Sequence, residues 1–458
     1  QARTSPLQTS PCRRFGVEWS DPRGCDGRLK SPGVLPSPEV LAHDGARALS
    51  YGLREVSRRL LIPYADHFRG LTTCGYPAPK GDKVVAFLVE EEEGFRVRFS
   101  GVMTCGSPWS CPVCSSRLAR DRGEALARAA ARLVGLGYRA VHVVLTVRHT
   151  RGEALADVFG ALSSAWRWAW GHRRVKALLR GVAYARSVEI TFGRNGWHPH
   201  IHALLLVPAH RDPWALEDPL WEAWSEAVEA VGWAPSSRDA YSFEVVESEE
   251  DLSHVGRYVG KGSWGLGLEV AGGPLKGGHQ GLTPFELLGA AWAGGAIPYQ
   301  GLPGWVDGEG REVEVDPLEV EGGGGLILRE FCGRALTRAE KAGISPEEAA
   351  YRWVEYAEAT RGRKALTNSR ALTLLLREAL AEVEAEEEAR PPVEVVRLAR
   401  AAYVWLLRSG RLAYWIHVAE SLGSLVLACE LLGLVEGEEW DVDPRGPPQN
   451  TPLESAGV

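Results

Sequence analysis

Residues 182–207 read Val182-Ala-Tyr-Ala-Arg-Ser-Val-Glu-Ile-Thr-Phe192, then Gly193-Arg-Asn-Gly196, then Trp197-His-Pro-His-Ile-His-Ala-Leu-Leu-Leu-Val207. Two β-rich runs flank an Asn-Gly pair, a strong short-range mark of a hairpin. Side chains alternate along a strand, so His200 and His202 share one face while Ile201 turns the other way into a core. If the turn centres on residues 194–195, Glu189 lies opposite His200, and opposed residues point to the same side of the sheet. Two imidazoles and a carboxylate make a three-point ligand set that leaves coordination positions open for a phosphate. His198 is in phase with them and either replaces Glu189 or only touches substrate.

Working outward, the pattern Leu118, Ala125, Leu126, Ala129, Leu133 predicts an amphipathic helix over 116–134, ended by Gly135 and Gly137. A strand over 138–147, a helix over 153–179, the hairpin, a helix over 214–231, a strand over 240–246 and a short helix over 251–261 follow. This order predicts an α+β domain around a central antiparallel sheet. Two short strands, 83–89 and 95–99, precede it, with a helix over 38–61 in an otherwise loosely organised lead-in of residues 1–73. Glycine dominates from 262 to 325, interrupted by Thr283-Pro-Phe-Glu-Leu-Leu288, and reads as linker with an insertion near 297–325. From 345 the chain reads as helical, over 346–360, 370–389 and 393–434, with a disordered tail at 441–458.

The 458 residues are 45% hydrophobic and 24% charged with a net charge of −7, which suits a globular protein of two or three domains. An acidic average argues against a nucleic-acid binder, yet the charge is segregated. Between Arg117 and Arg194 there are 15 Lys/Arg against 5 Asp/Glu, an excess of 15 − 5 = 10. Acidic runs at 90–93, 312–321, 382–388 and 436–443 supply the balance. A basic block that also holds the histidines fits a phosphate-rich partner whose binding weakens with salt. Trp166, Trp168 and Trp197 are candidates for base stacking, although buried tryptophans are commoner. No segment reaches the roughly 18 apolar residues of a membrane span. The start lacks Met and an apolar signal core, which suggests trimming or truncation and a cytoplasmic location.

Two further motifs carry chemistry. Tyr258-Val-Gly-Lys261 sets a tyrosine and a lysine one helical turn apart, and His254, four residues before the tyrosine, joins their face. A tyrosine attacking phosphorus forms a phosphodiester that can be rejoined without ATP, with Lys261 near the developing charge and His254 as a base. Cys105-Gly-Ser-Pro-Trp-Ser-Cys111-Pro-Val-Cys114, with Cys74 upstream, offers four thiolates for a closed structural zinc site.

Together, Cys105–Cys114, Leu145-Thr146, Glu189 through His202 and Tyr258–Lys261 resemble the plasmid-type rolling-circle replication initiators (Rep), HUH endonucleases named for their His-hydrophobic-His strand. The resemblance covers residues 74–261, with echoes at 283–288 and 360–367. It implies a ferredoxin- or RRM-like nicking domain over 74–265 that includes the zinc knuckle, then a helical C-terminal domain. It also implies Mg²⁺ or Mn²⁺ held by His200, His202 and Glu189, and Tyr258 as nucleophile leaving a 5′-phosphotyrosine and a free 3′-hydroxyl. Implied partners are origin DNA, single-stranded or hairpin at the nick, a host helicase and polymerase, and a second copy of the chain. Such initiators often carry a glutamate one turn before the tyrosine, where this sequence has His254. Two alternatives stay open: a relaxase or single-strand transposase with the same chemistry, and a non-catalytic zinc-knuckle nucleic-acid-binding protein.

Overall fold

A computed structural model describes residues 13–14, 17–18, 46–91, 94–246, 281–297 and 323–442. A ribbon of β1 (Arg13–Arg14) and β2 (Val17–Glu18) precedes helices α1 (Ala46–Leu61) and α2 (Arg69–Thr73). A hairpin of β3 (Lys83–Glu91) and β4 (Gly94–Ser100) leads to α3 (Pro112–Gly135), β5 (Arg139–Thr146), α4 (Leu155–Gly171) and α5 (Arg173–Leu178). Next come β6 (Ala183–Gly193), β7 (Gly196–Val207), α6 (Glu217–Ala230) and β8 (Ser242–Val246). Helices α7 (Pro284–Ala293), α8 (Gly323–Lys341) and α9 (Pro346–Thr360) lead to β9 (Leu366–Asn368) and α10 (Arg370–Ala389). The described chain closes with β10 (Pro392–Ala399), α11 (Arg400–Arg408), α12 (Arg411–Leu422), α13 (Leu425–Leu431) and β11 (Trp440–Val442).

The architecture is α+β, with two antiparallel sheets. The larger runs β8-β5-β7-β6-β9 and the smaller β11-β10-β3-β4. The hairpin β6–β7 forms in the expected register, Glu189 opposite His200 and Gly193 opposite Gly196. Gly196 has φ +87°, and a Cβ there would stand 2.7 Å from the Arg151 Cα, so the turn admits glycine for both reasons.

The two faces of the five-stranded sheet are covered differently. Val143, Leu145, Val188, Ile190, Ile201 and Leu205 pack under Phe159 and Leu162 of α4 and Trp224 of α6. On the opposite face α3 and α10 cover only one end, burying Ala185, Leu204 and Leu206 beneath Leu126, Ala129 and Leu372. By alternation, Leu204, His202 and His200 share this second face, so the polar residues lie where the helical cover stops. The smaller sheet has its own core, built with Tyr403, Trp415 and Leu425 of the last helices.

Two expected helices are corrected. The helix over 153–179 breaks at His172, whose ψ of 143° is extended, so α4 and α5 are separate; Gly171 just before it is a poor helix former. The helix over 393–434 begins with a strand instead, because residues 392–399 insert between β3 and β11, and three shorter helices follow. Within the lead-in, α1 is a buried helix with Leu49, Leu53 and Leu61 wholly enclosed. Thr283-Pro-Phe-Glu is a capping box that starts α7, whose Phe285, Leu287 and Leu288 are buried.

Candidate metal centre and nucleic-acid surface

Three strands assemble the histidine site. Glu189 comes from β6, His200 and His202 from β7, and Thr146 of β5 lies opposite His200. His202 Nε2 stands 3.0 Å and His200 Nε2 3.3 Å from the same carboxylate oxygen, Glu189 Oε2. All three residues are buried. Burial alone pushes the Glu189 carboxyl up, but hydrogen bonds from His200 and His202 outweigh it and hold the group well below the usual carboxylate range.

The donor set fits an octahedral cation. With metal–ligand bonds of about 2.1 Å, adjacent ligands on an octahedron stand about 3 Å apart. Glu189, His200 and His202 form a group whose ligand atoms lie within 4.8 Å of one another. Ser187, two residues before Glu189 and opposite His202, has a buried hydroxyl with no hydrogen-bond partner among the described residues. A bound ligand or its water would satisfy it.

His198 is not in that group. Its Nδ1 lies 2.7 Å from His149 Nε2, and His149 Nδ1 reaches the Asn195 carbonyl at 3.1 Å. Burial lowers the His198 pKa to about 3, with the His200 charge adding to the effect. The sequence reading missed His142. From β5 its Nε2 meets His202 Nδ1 at 3.2 Å with the rings nearly parallel, and burial lowers its pKa to about 3, with His202 adding. The spacing by two of His142, Val144 and Thr146, which puts them on the face of His202 and His200, was the available signal.

Cys74, Cys105, Cys111 and Cys114 come together, with sulfur–sulfur distances of 3.6 Å for Cys74–Cys111, Cys74–Cys114 and Cys105–Cys114. A disulfide needs about 2.05 Å. A tetrahedron with Zn–S bonds of about 2.3 Å has edges of about 3.8 Å, so the cluster suits one zinc ion. Cys111 caps α3, accepting from the Cys114 N–H, and Arg58 donates to the Cys74 carbonyl.

Tyr258, Lys261 and His254 lie outside the described residues, as do Cys12 and Cys25. Among the tryptophans, Trp166 and Trp197 are buried and Trp168 is exposed; Trp197 donates to Glu355 at 2.9 Å. The basic block also divides. On α3, Arg128 and Arg132 are bound to Glu386 and Glu382 of α10, and Arg120 to Glu387. Those arginines are neutralised within the chain.

Residues 96–227, which contain the hairpin and most of the cysteine cluster, match a family model described as a replication protein. A protein rep of Streptomyces lividans is 27% identical over 332 residues, covering 60% of this chain and 64% of that protein. The resemblance to plasmid-type Rep initiators is thereby shown. A protein rep of a Bacillus species is 24% identical over 31% of this chain and 49% of its own length. A neomycin resistance protein of Streptomyces cyanogenus is 30% identical over 23% of this chain and 31% of its own. The chain thus spans less than two thirds of the length of each of these relatives. No solved structure matches it. Among the described residues, no helix is long and apolar enough to cross a membrane.

Proposed function

We propose that the chain is a site-specific, metal-dependent DNA nickase and strand transferase that starts rolling-circle replication on an HUH-type fold. The observation that carries this reading is the convergence of His200 and His202 on one Glu189 oxygen, inside a segment similar to replication proteins. Mg²⁺ or Mn²⁺ held by these three residues would polarise the scissile phosphate as a Lewis acid. The Tyr258 hydroxyl attacks phosphorus while His254 accepts its proton. The bond from phosphorus to the 3′-oxygen breaks, and that oxygen takes up a proton to become the free 3′-hydroxyl. Lys261 offsets charge on the phosphate. Attack by a 3′-hydroxyl on the phosphotyrosine reverses these bonds and rejoins the strand, which ends replication.

Zinc at Cys74, Cys105, Cys111 and Cys114 serves structure, since four thiolates close the coordination shell. Origin DNA is the substrate, and a helicase, a polymerase and a second copy of the chain are its partners. The test is incubation with an end-labelled single-stranded origin oligonucleotide and Mn²⁺. The wild type should form a covalent adduct carrying the fragment 3′ of the cut, joined through its 5′-phosphate, and Tyr258→Phe should form none. An adduct persisting in Tyr258→Phe removes that residue from the mechanism, and no adduct from the wild type removes the catalytic reading.

A further inference from the structure

Three guanidinium groups line α4, and among the described residues none of them has an acidic partner. Arg186 of β6 stacks on Trp166 with its Cζ 4.8 Å from the ring centre, and Arg363, in the loop after α9, stacks on Phe159 at 4.4 Å. Phe159 and Trp166 are seven residues apart on α4, so the two cations sit about two turns apart along one stripe. Arg167 of α4 lies close enough for its charge to act on both. Among the described residues none of the three forms an ion pair. Arg167 donates to the Ser164 hydroxyl and Arg186 to the Thr367 hydroxyl, while Arg186 Nη1 is enclosed with no partner.

Cations this close repel one another, and a buried guanidinium without an anion is costly. Elsewhere the chain supplies its own anions, as the α10 carboxylates do for Arg120, Arg128 and Arg132. Burial brings the Arg186 pKa down to about 10 against the opposing pull of Tyr184, with the Arg167 charge adding to the drop. The cluster lies on the opposite sheet face from Glu189, because Arg186 alternates with Ser187 and Glu189 along β6. It is therefore separate from the metal site.

We propose that Arg167 and Arg363 form a docking surface for the DNA backbone, backed by the enclosed charge of Arg186, their missing anions being phosphates. The proposal rests on the DNA-nicking reading above and adds to it a second contact, away from the cleavage site. DNA held here would anchor the origin while the strand to be cut reaches the other face.

The test uses the full chain and a fluorescein-labelled duplex of random sequence, titrated by anisotropy from about 50 to about 200 mM salt. Each lost phosphate contact lowers the salt slope by about 0.9. Arg167→Gln with Arg363→Gln should reduce it by about 1.8, so the affinity lost across that salt range shrinks about tenfold. The Arg→Lys pair at the same positions should keep the slope, and so should Arg128→Gln with Arg132→Gln on α3. Adduct formation on a saturating single-stranded oligonucleotide should be unchanged in all of them. A wild-type slope in the Arg167→Gln, Arg363→Gln protein overturns the surface and leaves the nicking reading standing. A drop confined to the α3 variant moves the contact there and overturns it as well. Tight binding of inorganic phosphate with unchanged duplex affinity assigns the cluster to a small anion instead. A wild type whose duplex binding ignores salt overturns the surface too, whereas the nicking reading fails only if the wild type forms no adduct.

Discussion

With a cation on His202 Nε2, the ring's proton must sit on Nδ1 and be donated to His142 Nε2, 3.2 Å away. His142 thereby fixes both tautomer and ring plane of a ligand it does not accompany on the metal. Replacing it with Phe keeps the bulk and removes the acceptor. Mn²⁺ affinity by titration calorimetry should fall about 10- to 100-fold, and an unchanged affinity would dismiss the role. The metal-free protein should also lose stability in acid. His142 and His198 have folded pKa values near 3 against an ordinary 6.5, so the unfolded chain takes up their protons first as pH falls. Their contribution is complete above 6.5 and drains away toward 3, at roughly 1.4 kcal/mol per pH unit for each residue. Glu189, also depressed, acts in the same direction below its ordinary 4.5. Urea midpoints between neutral pH and the mid-acid range should record the slope, and His142→Phe should flatten it. The hairpin made Glu189, His200 and His202 readable in advance, since period-2 alternation and an Asn-Gly turn fix their register. His142 was hidden because its partner is on another strand.

Among the elements, those with local signals were legible and those made by distant pairing were not. Helices α9 and α10 match their expected spans because Ser345-Pro346 and the Pro391-Pro392 break mark their ends. β10 did not read as a strand. Its Val393-Glu-Val-Val is set between β3 and β11, and only that pairing separates it from the helical residues after it. The knuckle at the head of α3 illustrates a local motif completed from afar. Cys105, Cys111 and Cys114 are adjacent in sequence, while Cys74 is delivered by the turn after α2 and tied by Arg58 of α1. Purified protein should therefore carry about one zinc per chain. Cys111→Ser should lose that zinc while its hydroxyl still caps α3, so a lowered thermal midpoint reports the metal alone. Metal analysis together with thermal unfolding decides it; full zinc content in the variant would break the assignment.

Across the whole molecule, α1 joins the two cores. Leu49, Leu53 and Val56 enter the core of the five-stranded sheet, Tyr51 the core of the smaller sheet, and Leu61 the cluster around the cysteines. A helix buried on all sides usually reads as apolar throughout. This one reads as polar because Arg54, Glu55 and Arg58 are buried with it as a compensating ion cluster. The smaller sheet, in turn, is completed from the far end of the chain, with Val396 and Leu398 of β10 paired to β3 and Arg47 of α1 bound to Glu420 of α12 at 2.7 Å. Damage in the smaller core should then be felt at the cysteine and histidine clusters through α1. Trp415, fully buried on α12, is the sharpest probe. Trp415→Ala should cost about 3–5 kcal/mol. If α1 couples the cores, unfolding by far-UV circular dichroism and zinc release should shift together to lower denaturant as one transition. Zinc release that stayed at the wild-type midpoint while the circular dichroism transition split in two would show the cores to be independent.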